Sequence, residues 1–133
     1  MKKVGRYVVE STLGAGGMGQ VFRARLIGAE GFARPVALKR LNPGYSDDGH
    51  FAKLLIAEAR IAALLSHPNI ISVLDFDRDE DGSLFLVMEL VDGCDLSRLL
   101  RRLADKGARL PHGLCAFVAA EVLAGLSYAA SLA

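Results

Sequence analysis

An α+β fold follows from three features of the chain. A glycine-dense loop sits between two stretches patterned as β-strand, one clear helix lies mid-chain, and only helical patterns follow the last strand-like run. The order is therefore three strands, one helix, two strands, then helices. Strands cluster before helices, without the strict alternation that a doubly wound parallel sheet demands. With 133 residues, 52% of them apolar, the chain has the length of one ordinary domain and can build a substantial core.

The first two strands are Tyr7–Leu13 (YVVESTL) and Val21–Ile27 (VFRARLI), both short and either β-branched or alternating. GAEGFARP, with Gly28, Gly31 and Pro35, connects them to a third strand from Val36 (VALKRL). The polar loop NPGYSDDGH offers Ser46, Asp47 and Asp48 as helix caps. Phe51–Ser66, rich in Ala and Leu, is a helix ended by His67 and Pro68. Ile70–Phe76 and Leu84–Val91 are apolar strands joined by DRDEDG, in which Asp81-Gly82 is a hairpin signal. After Gly93 the pattern turns helical over Asp95–Leu103, and a long apolar helix runs from Pro111 to the end.

Sixteen Lys and Arg balance fifteen Asp and Glu, a formal net charge of +1. No global field marks a binder of nucleic acid or of acidic membrane, so charge-based function must be local. Cys94 and Cys115 lie far apart without metal-ligand spacing, and read as reduced thiols of a cytoplasmic protein. Glu10 interrupts the N-terminal apolar run before it reaches signal-peptide length. Leu114–Ala133 has only Glu121 as a charge, a span's length of apolar sequence, but Ala, Ser and Gly dominate it. It reads as a helix of a larger soluble domain with protein on several sides.

The stretch LGAGGMGQV, Leu13 to Val21, is open to three loop types. A GxxxxGK[ST] phosphate loop laid on Gly14 and Gly19 puts Gln20 and Val21 where the lysine and the hydroxyl belong, and fails at both. A dinucleotide fingerprint fits Gly14, Gly16 and Gly19, but it needs a helix next and an acid about 20 residues on; Lys39 stands there. The third type is a hairpin loop folded over nucleotide phosphates, GxGxxGxV, with a lysine on the following strand. Gly14, Gly16, Gly19 and Val21 match it, and Lys39 lies in VALK with Ala37 on its own face. Glycines let backbone N–H groups approach phosphate oxygens, and one cation neutralises the α and β phosphates.

Glu58 is an independent check. Its helical neighbours Leu54, Leu55, Ile61 and Ala62 are all apolar, so no local cation pairs with it. Either it lies at the edge of the stripe and reaches water, or a distant cation binds it, with Lys39 the candidate.

These residues resemble the protein kinase family, and GGMGQV is most similar to the bacterial serine/threonine kinases of eukaryotic type. The resemblance runs through the whole chain. Leu13, Gly14, Ala15, Gly16, Gly17, Met18, Gly19, Gln20 and Val21 resemble the glycine-rich loop, Lys39 the ATP-contacting lysine, and Glu58 its helical partner. HPNII, His67 to Ile71, is similar to the lead into the fourth strand, and FLVMELVDGCDL, Phe85 to Leu96, to the fifth strand and hinge. The resemblance implies Met88 as gatekeeper, the backbone of Glu89 and Val91 on the adenine edge, Val21 and Ala37 over its face, and Asp95 near the ribose.

The family fold then implies a five-stranded antiparallel small lobe with one helix over residues 1–91, and the first two helices of an incomplete large lobe over 92–133. The implied ligand is ATP, with protein as the substrate of the complete enzyme. Magnesium is implied too, but HRDxxxxN and DFG, which supply its ligands and the base, do not occur in the 133 residues. The chain alone is thus expected to hold nucleotide without transferring phosphate. The alternative is a catalytically silent, kinase-derived module that binds nucleotide or docks a partner on its apolar C-terminal helix. Asp75, Asp77 and Asp81 read as solvated carboxylates around a hairpin, and His50, His67 and His112 fit no site.

Overall fold

A computed structural model of the chain describes residues 1–132; Ala133, to which the sequence carries the last helix, lies outside the described residues. The strands are β1 (Lys3–Val4), β2 (Tyr7–Ala15), β3 (Gly19–Ile27), β4 (Ala33–Leu41), β5 (Val73–Arg78) and β6 (Leu84–Glu89). The helices are α1 (Pro43–Asp47), α2 (Gly49–Leu64), α3 (Leu96–Asp105) and α4 (His112–Ser131). The strands form one antiparallel sheet in the order β1-β2-β3-β4-β6-β5. Six strands stand where five are expected, because β1 is a two-residue strand that turns back onto β2 at Gly5. Gly5 has φ +53°, and a side chain there would press on the Phe85 ring.

The chain divides into two compact units. The first comprises Met1–Ser66 and Ile71–Leu90, the second His67–Ile70 and Val91 onward. His67–Ile70 goes with the second unit, which periodicity does not reveal. Contacts within that unit include the bonds of Asn69, whose Nδ2 donates to the Glu121 backbone oxygen at 2.9 Å and to Glu121 Oε2 at 2.6 Å, and the His67 ring 5.2 Å from that of Tyr128.

In the first unit, period-two alternation puts Phe22, Ala24, Val36, Leu38, Phe85 and Val87 on one sheet face, where they form a core with Val4 and Tyr7. A smaller cluster of Leu41, Ala52, Leu55 and Leu84 seats α2 against the sheet. Asp48 starts α2 by accepting the His50 backbone N–H at 2.9 Å, whereas Ser46 is buried within α1 and accepts the Leu84 N–H at 3.1 Å.

Asp75 is part-buried and paired, which corrects its reading as solvated, while Asp77 and Asp81 are exposed as that reading expects. Asp75 accepts from the Tyr7 hydroxyl at 2.8 Å and pairs with Arg6 at 3.0 Å. Arg40 on β4 binds Asp79 at 3.4 Å and also pairs with Asp81. The Ser83 backbone N–H, then Arg40, hold the Asp81 carboxyl below the usual carboxylate range. Asp77 accepts from the Arg78 N–H at 2.8 Å.

In the second unit, Asp95 caps α3 by accepting the Arg98 N–H at 2.7 Å. Helix α4 is long and apolar enough to cross a membrane by length and composition. Among the described residues it leaves Leu114, Phe117, Leu123 and Leu126 exposed.

Candidate functional site

The site in the first unit grows from the β2–β3 hairpin. Both strands run further toward the loop than their side-chain pattern suggests, so Ala15 pairs with Gln20 and Gly14 with Val21. Register shifts between Val9 and Ser11 and between Thr12 and Gly14 bend β2 on its way to the tip. Gly16 N–H donates to Gly19 O at 2.9 Å and closes the turn. The strand Gly19–Ile27 also removes the dinucleotide reading, which requires a helix in that place.

The glycines divide by role. A Cβ on Gly14, Gly16 or Gly17 would have nothing within 4 Å, so the hairpin presents bare backbone to open space. A Cβ on Gly19 would stand 2.2 Å from the Arg40 carbonyl oxygen, so that glycine is required by the close approach of β4. Leu13 and Met18, flanking and within the loop, are exposed.

Lys39 lies at the centre of the sheet, opposite Val21 on β3 and Leu86 on β6, while Ala37 lies opposite Met88. Directly opposed residues share a face, so Val21, Ala37, Lys39 and Met88 line one side of the sheet, away from the main core. Lys39 Nζ stands 3.9 Å from Glu58 Oε2 on α2.

The two side chains are 37% and 58% exposed, so Glu58 approaches Lys39 and also reaches water. Only Ala52, Leu55 and Ala59 of α2 are buried, and Leu54 and Ile61 face out, which puts Glu58 on the helix flank. An exposed pair of this kind stabilises by about 0–1 kcal/mol, so it orients more than it stabilises. A recess of about 260 Å³ adjoins the pair, walled by Met18 and Gly19 of the hairpin and by Leu41, Phe51 and Leu55. The larger groove, about 570 Å³ between α2 and β5, holds none of the candidate residues.

Glu89 ends β6, where its N–H donates to Ser72 O and its carboxylate accepts from Ser72 N–H at 2.8 Å. Val91, exposed, and Asp95, the α3 cap, belong to the second unit. His67 Nδ1 accepts from Asn69 N–H at 3.0 Å, and Cys94 and Cys115 are free and exposed. The loop residue that composition did not single out is Asn42, whose side-chain amide reaches Gly17 O at 3.0 Å. Preceding Pro43, it carries only the signal of a helix cap.

The family model described as "Protein kinase domain" matches residues 7–132. This chain belongs to that family. The tyrosine-protein kinase MasK of Myxococcus xanthus is 35% identical over 97% of the chain, and the serine/threonine-protein kinase pkn3 of Myxococcus xanthus is 41% identical over 92%. These alignments span 20% and 21% of those relatives, so the chain covers about a fifth of the curated proteins it matches. The crystal structure of the Mycobacterium tuberculosis PknI kinase domain matches with TM-score 0.72 and 32% identity, covering 96% of this chain and 49% of that one. The fold is thus that of the family's N-terminal part.

Kinase chemistry tests the residues present. Open space beside Gly14, Gly16 and Gly17, with a lysine held near a carboxylate, fits a nucleotide's phosphates. For magnesium, no cluster of three His, Cys, Asp or Glu occurs among the described residues, and no step is assigned to the metal.

Proposed function

We propose that this chain is the ATP-binding part of a serine/threonine protein kinase. In the complete enzyme the γ-phosphoryl of Mg-ATP passes to a protein hydroxyl: the bond to the β-phosphate oxygen breaks, a bond to the hydroxyl oxygen forms, ADP leaves and a proton is released. The observation that carries the reading is the 3.9 Å approach of Lys39 to Glu58 next to a hairpin whose glycines leave their space open. In this reading the N–H groups of residues 14–20 receive phosphate oxygens, Lys39 neutralises the α and β phosphates, and Glu58 orients Lys39. In the first unit Val21, Ala37 and Met88 wall the adenine and the backbone of Glu89 meets its edge. The serine/threonine preference draws on relatives such as pkn3, and the name of MasK keeps tyrosine as the competing acceptor. Reduced Cys94 and Cys115 and the need for ATP suit the cytoplasm.

A non-hydrolysable ATP analogue is expected to raise the melting temperature of the chain. Lys39→Met, which removes only an exposed pair and should fold normally, is expected to abolish that rise; an equal rise in the variant would overturn the role given to Lys39. The purified chain is expected to transfer no phosphate to itself or to a protein acceptor, because its sequence holds neither HRDxxxxN nor DFG. Turnover assayed with labelled ATP on homogeneous protein would overturn that expectation of inactivity. A silent module that docks a partner draws on the exposed apolar side chains of α4. That reading predicts no transfer from any longer form of the protein.

A further inference from the structure

The tip of the glycine hairpin is tied to the residue that follows β4. Asn42 N–H donates to Met18 O at 2.9 Å, and Asn42 Nδ2 donates to Gly17 O at 3.0 Å. The first of these continues the β3–β4 ladder by one step. The second is made by a side chain and depends on residue identity.

Asn42 holds the N-cap position of α1, yet its side chain makes no capping bond there, and Pro43 supplies the first helical residue. The amide is therefore spent on the hairpin alone. Asn42 itself is anchored from behind: its carbonyl accepts from the N–H groups of Tyr45 at 3.0 Å and Ser46 at 3.1 Å. Ser46, in turn, is buried and accepts the Leu84 N–H of β6 at 3.1 Å.

We propose that Asn42 is a positioning residue that latches the hairpin tip and fixes which way its peptide groups face. In a planar trans peptide the C=O of one residue and the N–H of the next point in opposite directions. Holding the carbonyls of Gly17 and Met18 toward Asn42 therefore turns the N–H groups of Met18 and Gly19 away from it, and those are donors a phosphate would accept from. Without the side-chain bond, Gly16 and Gly17, which touch nothing else at their Cβ positions, have no steric neighbour to limit rotation of the tip. The purpose of the latch rests on the nucleotide reading above; its existence does not.

Two measurements on the 133-residue chain separate the two. The first is amide hydrogen exchange across residues 14–20 without nucleotide, in the parent chain, in Asn42→Ala and in Asn42→Asp. Asp keeps the size and the capping tendency of Asn but has no donor for Gly17 O. Both variants are expected to exchange about fivefold faster in the hairpin, the value of one ordinary hydrogen bond, with exchange in β4 and β6 unchanged. Unchanged exchange in both variants overturns the latch.

The second is the affinity of Asn42→Ala for ATP and for adenosine. Weaker ATP binding by about fivefold at unaltered adenosine affinity is expected, since adenosine has no phosphates for the tip to meet. Equal losses for both ligands would overturn the positioning role, because a general disturbance of the pocket would then account for them. If the parent chain bound neither ligand, the ATP-binding reading would fall, and the exchange result would still decide the latch.

Discussion

At the scale of single residues, four glycines that look alike in LGAGGMGQV serve two ends. Gly14, Gly16 and Gly17 have open space at their Cβ positions, while Gly19 is pressed against the Arg40 carbonyl. Gly19→Ala is therefore expected to destabilise the chain by about 1–3 kcal/mol, read from the urea midpoint, because backbone and not a flexible side chain must give way. Gly16→Ala is expected to leave that midpoint within about 0.5 kcal/mol and to weaken binding of an ATP analogue. The motif was legible from residue types alone; the division of labour was not, since it depends on how closely β4 approaches. The same limit applies to Glu58. Its apolar neighbours at helical spacing left two outcomes open, an edge position reaching water or a distant cation, and the flank of α2 gives a Glu58 that is exposed and 3.9 Å from Lys39.

At the scale of elements, every strand and helix that periodicity marked is present, with ends displaced by a few residues. The hairpin strands lengthened because backbone pairing continues where the side-chain pattern stops, and β1 was missed because two residues are too few to show a period. Tyr7 shows how elements distant in sequence are joined. Its ring is buried in the sheet core and its hydroxyl donates to Asp75 on β5. Burial, then the bond to Asp75, push the phenol above its ordinary 10.0. A raised pKa in the folded chain means stability that is present below about pH 10 and lost as pH rises through the folded value. Chemical denaturation followed from neutral pH to above about pH 10 is expected to show this decline, and Tyr7→Phe is expected to flatten it. The variant should also lose about 1 kcal/mol at neutral pH for the missing hydrogen bond.

At the scale of the whole molecule, the chain forms two units, and α4 leaves Phe117, Leu123 and Leu126 each about 60% exposed. Apolar surface on this scale drives association, so the isolated chain is expected to sediment with a concentration-dependent mass. Replacing Leu123 and Leu126 by serine should reduce that dependence. By itself the sequence determined the fold class, the order of the longer elements, and the hairpin loop with its lysine on the next strand. These are local matters of period, residue type and spacing, which the chain carries at every scale of folding. The tertiary structure alone decided that the Lys39–Glu58 pair is open to water, that Asn69 bonds to Glu121 within the second unit, and that Asn42 holds the hairpin tip. Each is a contact between residues far apart along the chain, and no period or propensity encodes the distance at which such groups meet.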